Sequence, residues 1–267
     1  MIISMGMLKD VWTFRDFMWS SVKREFQTRW VGTQFGPLWL LAPPLTTILI
    51  FTVIFSNIMR PGMPEGGSRF SYSIYLCAGV LTFNLFSEIL NRSVGIFVEN
   101  ANLLKKIQFP KLCLPIIVVV SSVLNFFITM GLFMGFLILA GLFPGGVIWG
   151  VIPVLIIQLM FTIGLGMFLA TINVFYRDIQ QGVQVVLQFW FWLTPIVYLA
   201  ATLPPWVREI LNWNPLWPLI QAYQGIFLKH VLPDWSTLIY PCILGLFLVG
   251  AGIYAFHRLQ GEIVDEL

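Results

Sequence analysis

Apolar windows separated by charged residues divide this chain along almost its whole length. The stretch 112–176 contains no Asp, Glu, Lys or Arg. Because a helix of about 20 apolar residues crosses the roughly 30 Å hydrocarbon core of a bilayer, this stretch predicts two membrane spans. The sequence LFPGG at 142–146 lies near its middle and predicts the turn between them.

Four further windows have the length of a membrane span. They lie within 30–59 after Gly36-Pro37, within 70–87 before Glu88, within 179–207, and within 235–256. A helix in each window can cross a bilayer because its backbone hydrogen bonds are made inside the helix. The pattern therefore predicts an all-α membrane protein with six transmembrane helices.

The stretch 210–228 is the doubtful seventh window. Amides and prolines interrupt it, and both are costly in lipid unless protein or water satisfies the backbone; they are Asn212, Asn214, Pro215, Pro218, Gln221 and Gln224. We expect segment 203–234, between spans 5 and 6, to form short extracytoplasmic re-entrant helices rather than another span.

The composition agrees with a polytopic membrane protein. Of the 267 residues, 58% are hydrophobic and 10% are charged, whereas about 25% are charged in soluble domains. Three cysteines, Cys77, Cys113 and Cys242, form no CxxC pair, and the chain has only two histidines. This favours buried small hydrophobic side chains over a metal site or a disulfide framework.

The distribution of positive charge predicts the orientation. Six spans place eleven Lys and Arg residues on the side of both termini and four on the other side. The excess marks the cytoplasmic side, so the chain divides into a cytoplasmic amphipathic interface segment (1–34), a transmembrane domain (35–258) and a short cytoplasmic tail (259–267). A seventh span would move the C-terminus outside and leave the excess of Lys and Arg on the cytoplasmic side otherwise intact. The amides and prolines of 210–228 disfavour such a span.

The segment before the first span has the pattern of an amphipathic helix. Apolar residues recur at helical spacing and polar residues occupy the other side; the apolar set is Leu8, Val11, Trp12, Met18, Trp19, Val22, Phe26 and Trp30. Such a helix lies in the membrane interface. It is either a simple topology anchor or a surface that also contacts a cytoplasmic partner and shapes a lateral substrate entrance.

A basic loop at 91–111 follows the second span. Its candidate docking residues are Asn102, Leu103, Leu104, Lys105, Lys106, Ile107, Phe109 and Pro110. Leu103, Leu104 and Ile107 would share one face of a short helix. An apolar face outside the bilayer needs a protein to bury it, so we expect this loop to dock another subunit. A solvated positive loop is the alternative.

Two charged pairs lie at membrane boundaries, where they have gating or structural roles. Arg177 and Asp178 follow the fourth span and are expected to pair with neighbouring helices or loop backbone. Glu88 and Arg92 are one turn apart, which permits an ion pair. For the second pair we favour structural pairing over a proton relay.

The fifth span is rich in aromatic residues, with QFWFWLTPIVY at 188–198. Aromatic faces can stack on the CH-rich faces of sugar rings, and Pro195 predicts a helix kink. Gln184 and Gln188, one turn apart, favour a polar side facing a pore. The candidate pore residues are therefore Gln184, Gln188, Phe189, Trp190, Trp192 and Tyr198. Interfacial anchoring or helix packing is the alternative interpretation.

Several chemistries have no motif here. The sequence contains no GxxxxGKS/T phosphate loop, no HExxH and no plausible Ser-His-Asp set. We therefore predict no cofactor in this chain, no ATP binding by a Walker motif and no hydrolytic activity. Nucleic acid is not an expected partner, because the net charge is only +3.

The order of several short motifs resembles a known family. These are RWVGTQFGPLW at 29–39, KKIQFP at 105–110, FYRDI at 175–179, Thr194-Pro195 and WNPL at 213–216. Together they resemble the permease subunits of ABC-2 type exporters, which move lipid-linked polysaccharides (O-antigen, capsule or teichoic acid) across bacterial cytoplasmic membranes. The resemblance covers essentially the whole chain.

This resemblance implies a homodimer with a central channel and two copies of a separate cytoplasmic ABC ATPase, which binds ATP and Mg. It implies that the loop after the second span is the coupling helix, and that 203–234 lines the external mouth of the channel. The implied substrate is a polyprenyl-diphosphate-linked glycan, with O-antigen as the first choice, and the implied location is the bacterial inner membrane.

Three other functions remain open at this point. An ABC-2 exporter of a drug or small lipid would have a narrow closed pathway. A membrane enzyme would need acidic or histidine side chains at a cleft, which the presence of only His230 and His257 disfavours. A scaffold that anchors a biosynthetic complex would not depend on the docking helix for transport.

Overall fold

The structure of this chain is a computed structural model that describes residues 12–28, 36, 38–55, 70–106, 109–262 and 266. Within these residues every regular element is a helix, which confirms the predicted all-α class. The α-helices are α1 (Arg15–Thr28), α2 (Leu38–Ile50), α3 (Ser71–Glu99), α4 (Ala101–Lys106), α5 (Cys113–Leu139), α6 (Val151–Phe175), α7 (Asp178–Leu193), α8 (Pro205–Leu211), α9 (Leu216–Gln224) and α10 (Trp235–Leu259).

Four helical segments are long and apolar enough to cross a membrane. They are α3, α5, the segment 145–175 that contains α6, and α10. They correspond to the second, third, fourth and sixth predicted windows. The first and fifth windows hold shorter helices: α2 is continued by the π-helical turn Phe51–Phe55, and α7 has 16 residues. The count of six spans therefore stays a prediction.

Helix α3 forms the centre of the bundle and packs against α5, α6, α7 and α9. It does not end near Glu88, as the charge pattern had predicted, but continues to Glu99. Glu88 and Arg92 pair with each other on one face of the helix, and each has a further partner on a neighbouring helix. The first part of the predicted loop 91–111 is thus helical, and only Asn100 separates α3 from α4.

Helix α7 ends at Leu193, so the predicted kink at Pro195 is wrong. Thr194 has an extended backbone, with φ −99° and ψ 131°. The ring of a proline disfavours the helical conformation in the residue before it. Pro195 therefore terminates the helix instead of bending it.

The doubtful window 210–228 is divided between two helices. Helix α8 ends at Leu211 and α9 begins at Leu216, whose backbone N–H donates to the Asn214 side-chain oxygen at 3.1 Å. A π-helical turn, Gly225–Lys229, follows α9 and ends at His230, which has a left-handed backbone (φ 55°). Helix α9 packs against α3 and α10 and belongs to the core.

Helices α6 and α10 approach each other through glycines. A Cβ added at Gly164 would lie 2.4 Å from the backbone nitrogen of Val249, and one added at Gly252 would lie 2.8 Å from the Gly164 carbonyl oxygen. Small residues of this kind let helix backbones approach closely in membranes, where no hydrophobic effect drives the helices together.

Candidate functional site

Helix α7 carries an exposed face on which amides and aromatic rings lie beside apolar side chains such as Val185. Gln184, Gln188, Phe189 and Trp192 recur at helical spacing, and the two rings are 67% and 60% exposed. Within the described part of the chain, neither glutamine side chain has a hydrogen-bond partner. An unpaired amide in hydrocarbon costs several kcal/mol, so this face fits water or another polar surface better than lipid.

Trp190 does not belong to that face. Its ring lies edge-on against Phe86, with centroids 5.3 Å apart, and its indole N–H donates to the Asn214 side-chain oxygen at 2.9 Å. These contacts connect α7 to α3 and to the segment before α9, and the place of Trp190 in the pore stays a prediction. Tyr198 is half-buried, and its hydroxyl donates to the Trp192 carbonyl at 2.8 Å.

Asn214 connects the end of α7 to the start of α9. Its amide nitrogen donates to the Thr194 hydroxyl at 2.9 Å, and its side-chain oxygen accepts from Trp190 and from the Leu216 backbone. The Thr194 hydroxyl donates in turn to the Trp190 carbonyl at 2.8 Å. The motifs Thr194-Pro195 and WNPL thus meet in one network, which positions the exposed face of α7.

Replacing Asn214 with Ala is expected to lower the free energy of unfolding by about 2 kcal/mol, because three hydrogen bonds with net values near 1 kcal/mol each are lost. Thermal unfolding of the purified protein in detergent measures the change. Asn212→Ala is the matched control, since Asn212 is exposed two residues away. Equal melting temperatures for the two variants would show that the network does not stabilise the fold.

A second polar cluster surrounds the Arg92 guanidinium. Nη2 donates to the Glu25 carboxylate at 2.7 Å, while Nη1 lies 3.4 Å from the Glu88 carboxylate. Nη1 also donates to the Ser121 and Ser122 hydroxyls at 3.0 and 3.3 Å. Arg92 therefore joins α1, α3 and α5. The sequence predicted the Glu88 contact by helical spacing but gave no sign of Glu25, which lies far away along the chain.

The cluster separates two cavities. Arg92 and Glu25 line a cavity of about 440 Å³ between α1, α3 and α5, together with Arg24 and Glu99. Glu88 lines a larger cavity of about 540 Å³ between α2, α3 and α5. The Glu88–Arg92 pair is thus shared between the walls of both cavities.

The predicted coupling helix is largely covered by its own chain. Leu104 is only 8% exposed and packs in a cluster with Phe97 and Leu114, against which Leu103 also packs. The prediction that Leu104 presents an apolar face to a partner is therefore corrected, and the accessible side chain beside it is Lys105.

Other members of the coupling set have different surroundings. Asn102 is exposed, and Pro110 is half-buried. The Phe109 ring lies 5.6 Å from the Phe17 ring, so this segment contacts α1. Ile107 lies outside the described residues, and so does the side chain of Lys106.

Arg177 and Asp178 are exposed, and within the described residues neither forms an ion pair. Asp178 lies in the first turn of α7, where its negative charge interacts favourably with the positive end of the helix dipole. The linking role expected of this pair belongs to the buried Asn173. Its amide donates to the Val94 carbonyl at 3.0 Å, and its side-chain oxygen accepts from the Gln180 backbone at 3.1 Å.

Ligands for a metal ion do not converge in the part of the chain that the structure describes, where no group of three or more His, Cys, Asp or Glu side chains is suitably placed. Cys77 and Cys113 are buried as free thiols, and Cys242 is partly buried.

Comparison with known proteins gives consistent matches over nearly the whole chain. The profile of the family described as ABC-2 type transporter matches residues 17–228. The O-antigen export system permease protein RfbA of Myxococcus xanthus is 29% identical over 266 residues, covering 98% of this chain and 99% of its own.

Two further relatives show similar coverage. The protein of the same name from Klebsiella pneumoniae is 28% identical, over 91% of this chain and 92% of its own. The polysialic acid transport protein KpsM of Escherichia coli is 23% identical, over 90% and 91%.

Proposed function

Since the chain belongs to the ABC-2 type transporter family, we propose that it is the membrane permease subunit of an ATP-driven exporter of polyprenyl-diphosphate-linked polysaccharide in the bacterial cytoplasmic membrane. Family members of this kind are transport components rather than enzymes. O-antigen is the first candidate cargo, because the relatives named for its export are 28% and 29% identical over at least 91% of the chain.

The exposed face of α7 is the observation that carries this proposal. A sugar chain offers CH-rich ring faces and hydroxyl edges, and the face offers Phe189 and Trp192 rings beside the Gln184 and Gln188 amides. Rings can stack on the sugar faces, and amides can donate to and accept from hydroxyls. In a homodimer, two such faces would enclose a central channel lined by both copies.

Capsular polysaccharide is the second candidate cargo. The support for it is the similarity to the polysialic acid transport protein, at 23% identity. A polymer of that kind is anionic, whereas the exposed face of α7 carries amides and aromatic rings. An uncharged glycan suits this face better, and the higher identity to the O-antigen export permeases keeps O-antigen as the first choice.

The energy source is proposed to be a separate protein. The sequence has no Walker motif, so two copies of a cytoplasmic ABC ATPase would bind ATP and Mg and act on the permease dimer. With Leu104 buried, the contact is assigned to the exposed side chains of α4, Asn102 and Lys105. The segment that follows α4 contacts α1 through the Phe17 and Phe109 rings, so movement of this region would be passed to α1.

The proposed topology keeps six spans and cytoplasmic termini. The side chain of Lys111 donates to the Gln260 carbonyl, so the start of α5 and the end of α10 lie at the same end of the bundle. That end also holds α1 and α4, and it carries the positive charges expected on the cytoplasmic side. Helices α8 and α9 would then be the re-entrant helices at the external mouth.

Deleting the gene in a producing strain is expected to leave lipid-linked glycan inside the cell and none on the surface. The wild-type gene should restore surface glycan, whereas Phe189→Ala with Trp192→Ala should restore it only weakly at normal protein levels. Phe247→Ala, on the exposed side of α10, is the matched control. Normal surface glycan in the deletion strain would contradict the proposed function.

A further inference from the structure

The larger cavity lies among three helices that are expected to be inside the membrane. It occupies about 540 Å³ between α2, α3 and α5, within the roughly 300–1,000 Å³ typical of small-molecule sites. Its walls combine apolar surface with amide, hydroxyl and carboxylate groups; the lining includes Pro43, Pro44, Asn84, Glu88, Asn91 and Phe126.

Two amides in this cavity have no hydrogen-bond partner among the residues that the structure describes. Asn84 and Asn91 are seven residues apart, so both side chains lie on one face of α3, and both line the cavity. The neighbouring Ser87 hydroxyl donates to the backbone carbonyl of Asn84 at 3.2 Å. This bond does not use the Asn84 side-chain amide, which stays available to a ligand. Each amide offers one acceptor oxygen and two donor hydrogens.

The carboxylate in the same wall is already engaged. Glu88 accepts from Arg92 and from Ser122, and its second oxygen accepts from the Asn125 amide at 3.0 Å. Both of its oxygens accept hydrogen bonds from protein groups, and it shares the Arg92 guanidinium with Glu25. The groups left to meet a ligand are therefore neutral.

This lining distinguishes among the classes of ligand that reach a membrane cavity. An acyl chain would leave both amides unpaired, which is unfavourable in a low-dielectric site. An anionic headgroup would lie beside the Glu88 carboxylate, and the Arg92 guanidinium is already bound to two carboxylates. A neutral polyol satisfies the amides with its hydroxyls and places its CH faces on Pro43, Pro44 and Phe126.

We propose that this cavity is a water-filled site for an uncharged sugar unit, with the Asn84 and Asn91 amides hydrogen-bonding its hydroxyls. The site is separate from the exposed face of α7 and adds a second contact for the exported glycan. In this it rests on the proposed function, since the sugar is taken to be part of the cargo.

Cysteine labelling in membranes tests the site. In a variant with Cys77, Cys113 and Cys242 replaced by Ala, Asn84→Cys should react quickly with a small hydrophilic thiol reagent. It should react several-fold more slowly in a strain that makes the lipid-linked glycan than in one that does not. Phe127→Cys is the matched control, because Phe127 is exposed on α5 beside the cavity residue Phe126 without lining the cavity.

Absence of labelling at Asn84→Cys, or a rate equal to that of Phe127→Cys, would overturn the proposal because the cavity would then be dry. Equal rates with and without glycan would overturn it as a sugar site. The Ala-substituted background must first restore surface glycan in the deletion strain, which shows that it folds.

An export assay separates this inference from the proposed function. Asn84→Leu with Asn91→Leu should reduce surface glycan several-fold at unchanged protein level, whereas Asn84→Gln with Asn91→Gln should retain most of it. Normal export by the leucine variant would reject the sugar site and leave the exporter role intact. If deletion of the gene itself leaves surface glycan normal, the exporter role fails, and the labelling rates still decide whether the cavity is wet.

Discussion

Replacing Gly164 with Ala is expected to remove most of the folded protein. Its new Cβ would lie 2.4 Å from the Val249 nitrogen, 2.5 Å from the Leu248 carbonyl carbon and 2.9 Å from the Leu248 Cβ. Two of these three atoms belong to the backbone of α10, which cannot move aside as a flexible side chain can. Helices α6 and α10 would have to separate along their whole contact.

Two opposing contributions decide whether Gly164→Ala raises or lowers the free energy of unfolding. In a helix interior, Ala is favoured over Gly by about 1 kcal/mol. Overpacking a close contact costs about 1–3 kcal/mol and occasionally more, and the 2.4 and 2.5 Å distances to backbone atoms place this site at the upper end of that range. We expect a net loss of about 2 kcal/mol or more, together with a lower yield of monodisperse protein.

Gly250→Ala is the control, because Gly250 lies on α10 and a Cβ there meets nothing within 4 Å. It should melt at the wild-type temperature or slightly above. Size-exclusion chromatography and thermal unfolding in detergent measure both variants. If Gly164→Ala gives wild-type yield and melting temperature, the close approach of α6 and α10 is wrong.

Replacing Arg92 with Gln is expected to loosen α1 and to lower the free energy of unfolding by about 2–3 kcal/mol. The change removes the guanidinium that the Glu25 and Glu88 carboxylates both contact. Breaking a fully buried pair costs about 3–5 kcal/mol, and the smaller figure applies here because these side chains are about one quarter exposed. Arg92→Lys should recover only part of the lost free energy of unfolding, since a single ammonium group cannot make the paired hydrogen bonds of the planar guanidinium.

A double-mutant cycle with Glu25→Gln isolates the contact between α1 and α3. The coupling free energy should be about 1 kcal/mol or more, as for side chains in one network. Limited trypsin digestion gives an independent measurement, because Lys23 and Arg24 on α1 should be cut faster when α1 is released. Additive stability changes with unaltered digestion would contradict a structural contact between Arg92 and Glu25.

The membrane character of the fold could be predicted from the sequence because it depends on local composition. The uncharged stretch 112–176 gave two of the four long apolar helices. The end of α3 could not be found in this way, because the charges of Glu88 and Arg92 are tolerated only through partners on α1 and α5. A charge ends a span in a local pattern, but in the structure its partners decide.

In the candidate site, too, the sequence pattern could not show which single side chains are packed and which are exposed. The density of aromatic residues in 188–198 indicated a functional face, but it could not separate Trp190, which packs on α3, from Trp192, which is exposed. Likewise Leu104 had the spacing of a docking residue, although its own chain buries it. Which neighbour covers a side chain depends on tertiary packing, and neither spacing nor composition contains that information.

Photo-crosslinking from α7 in glycan-producing cells tests the central claim most directly. A photoreactive amino acid at Phe189 or Trp192 should capture lipid-linked glycan and give a ladder of glycan-modified protein after illumination. The same amino acid at Phe247 should capture only lipid, because that exposed side chain of α10 is expected to face the bilayer. Glycan capture at Phe189 and Trp192 but not at Phe247 is the predicted result, and equal capture at all three positions, or none on α7, would contradict a glycan pathway along this face.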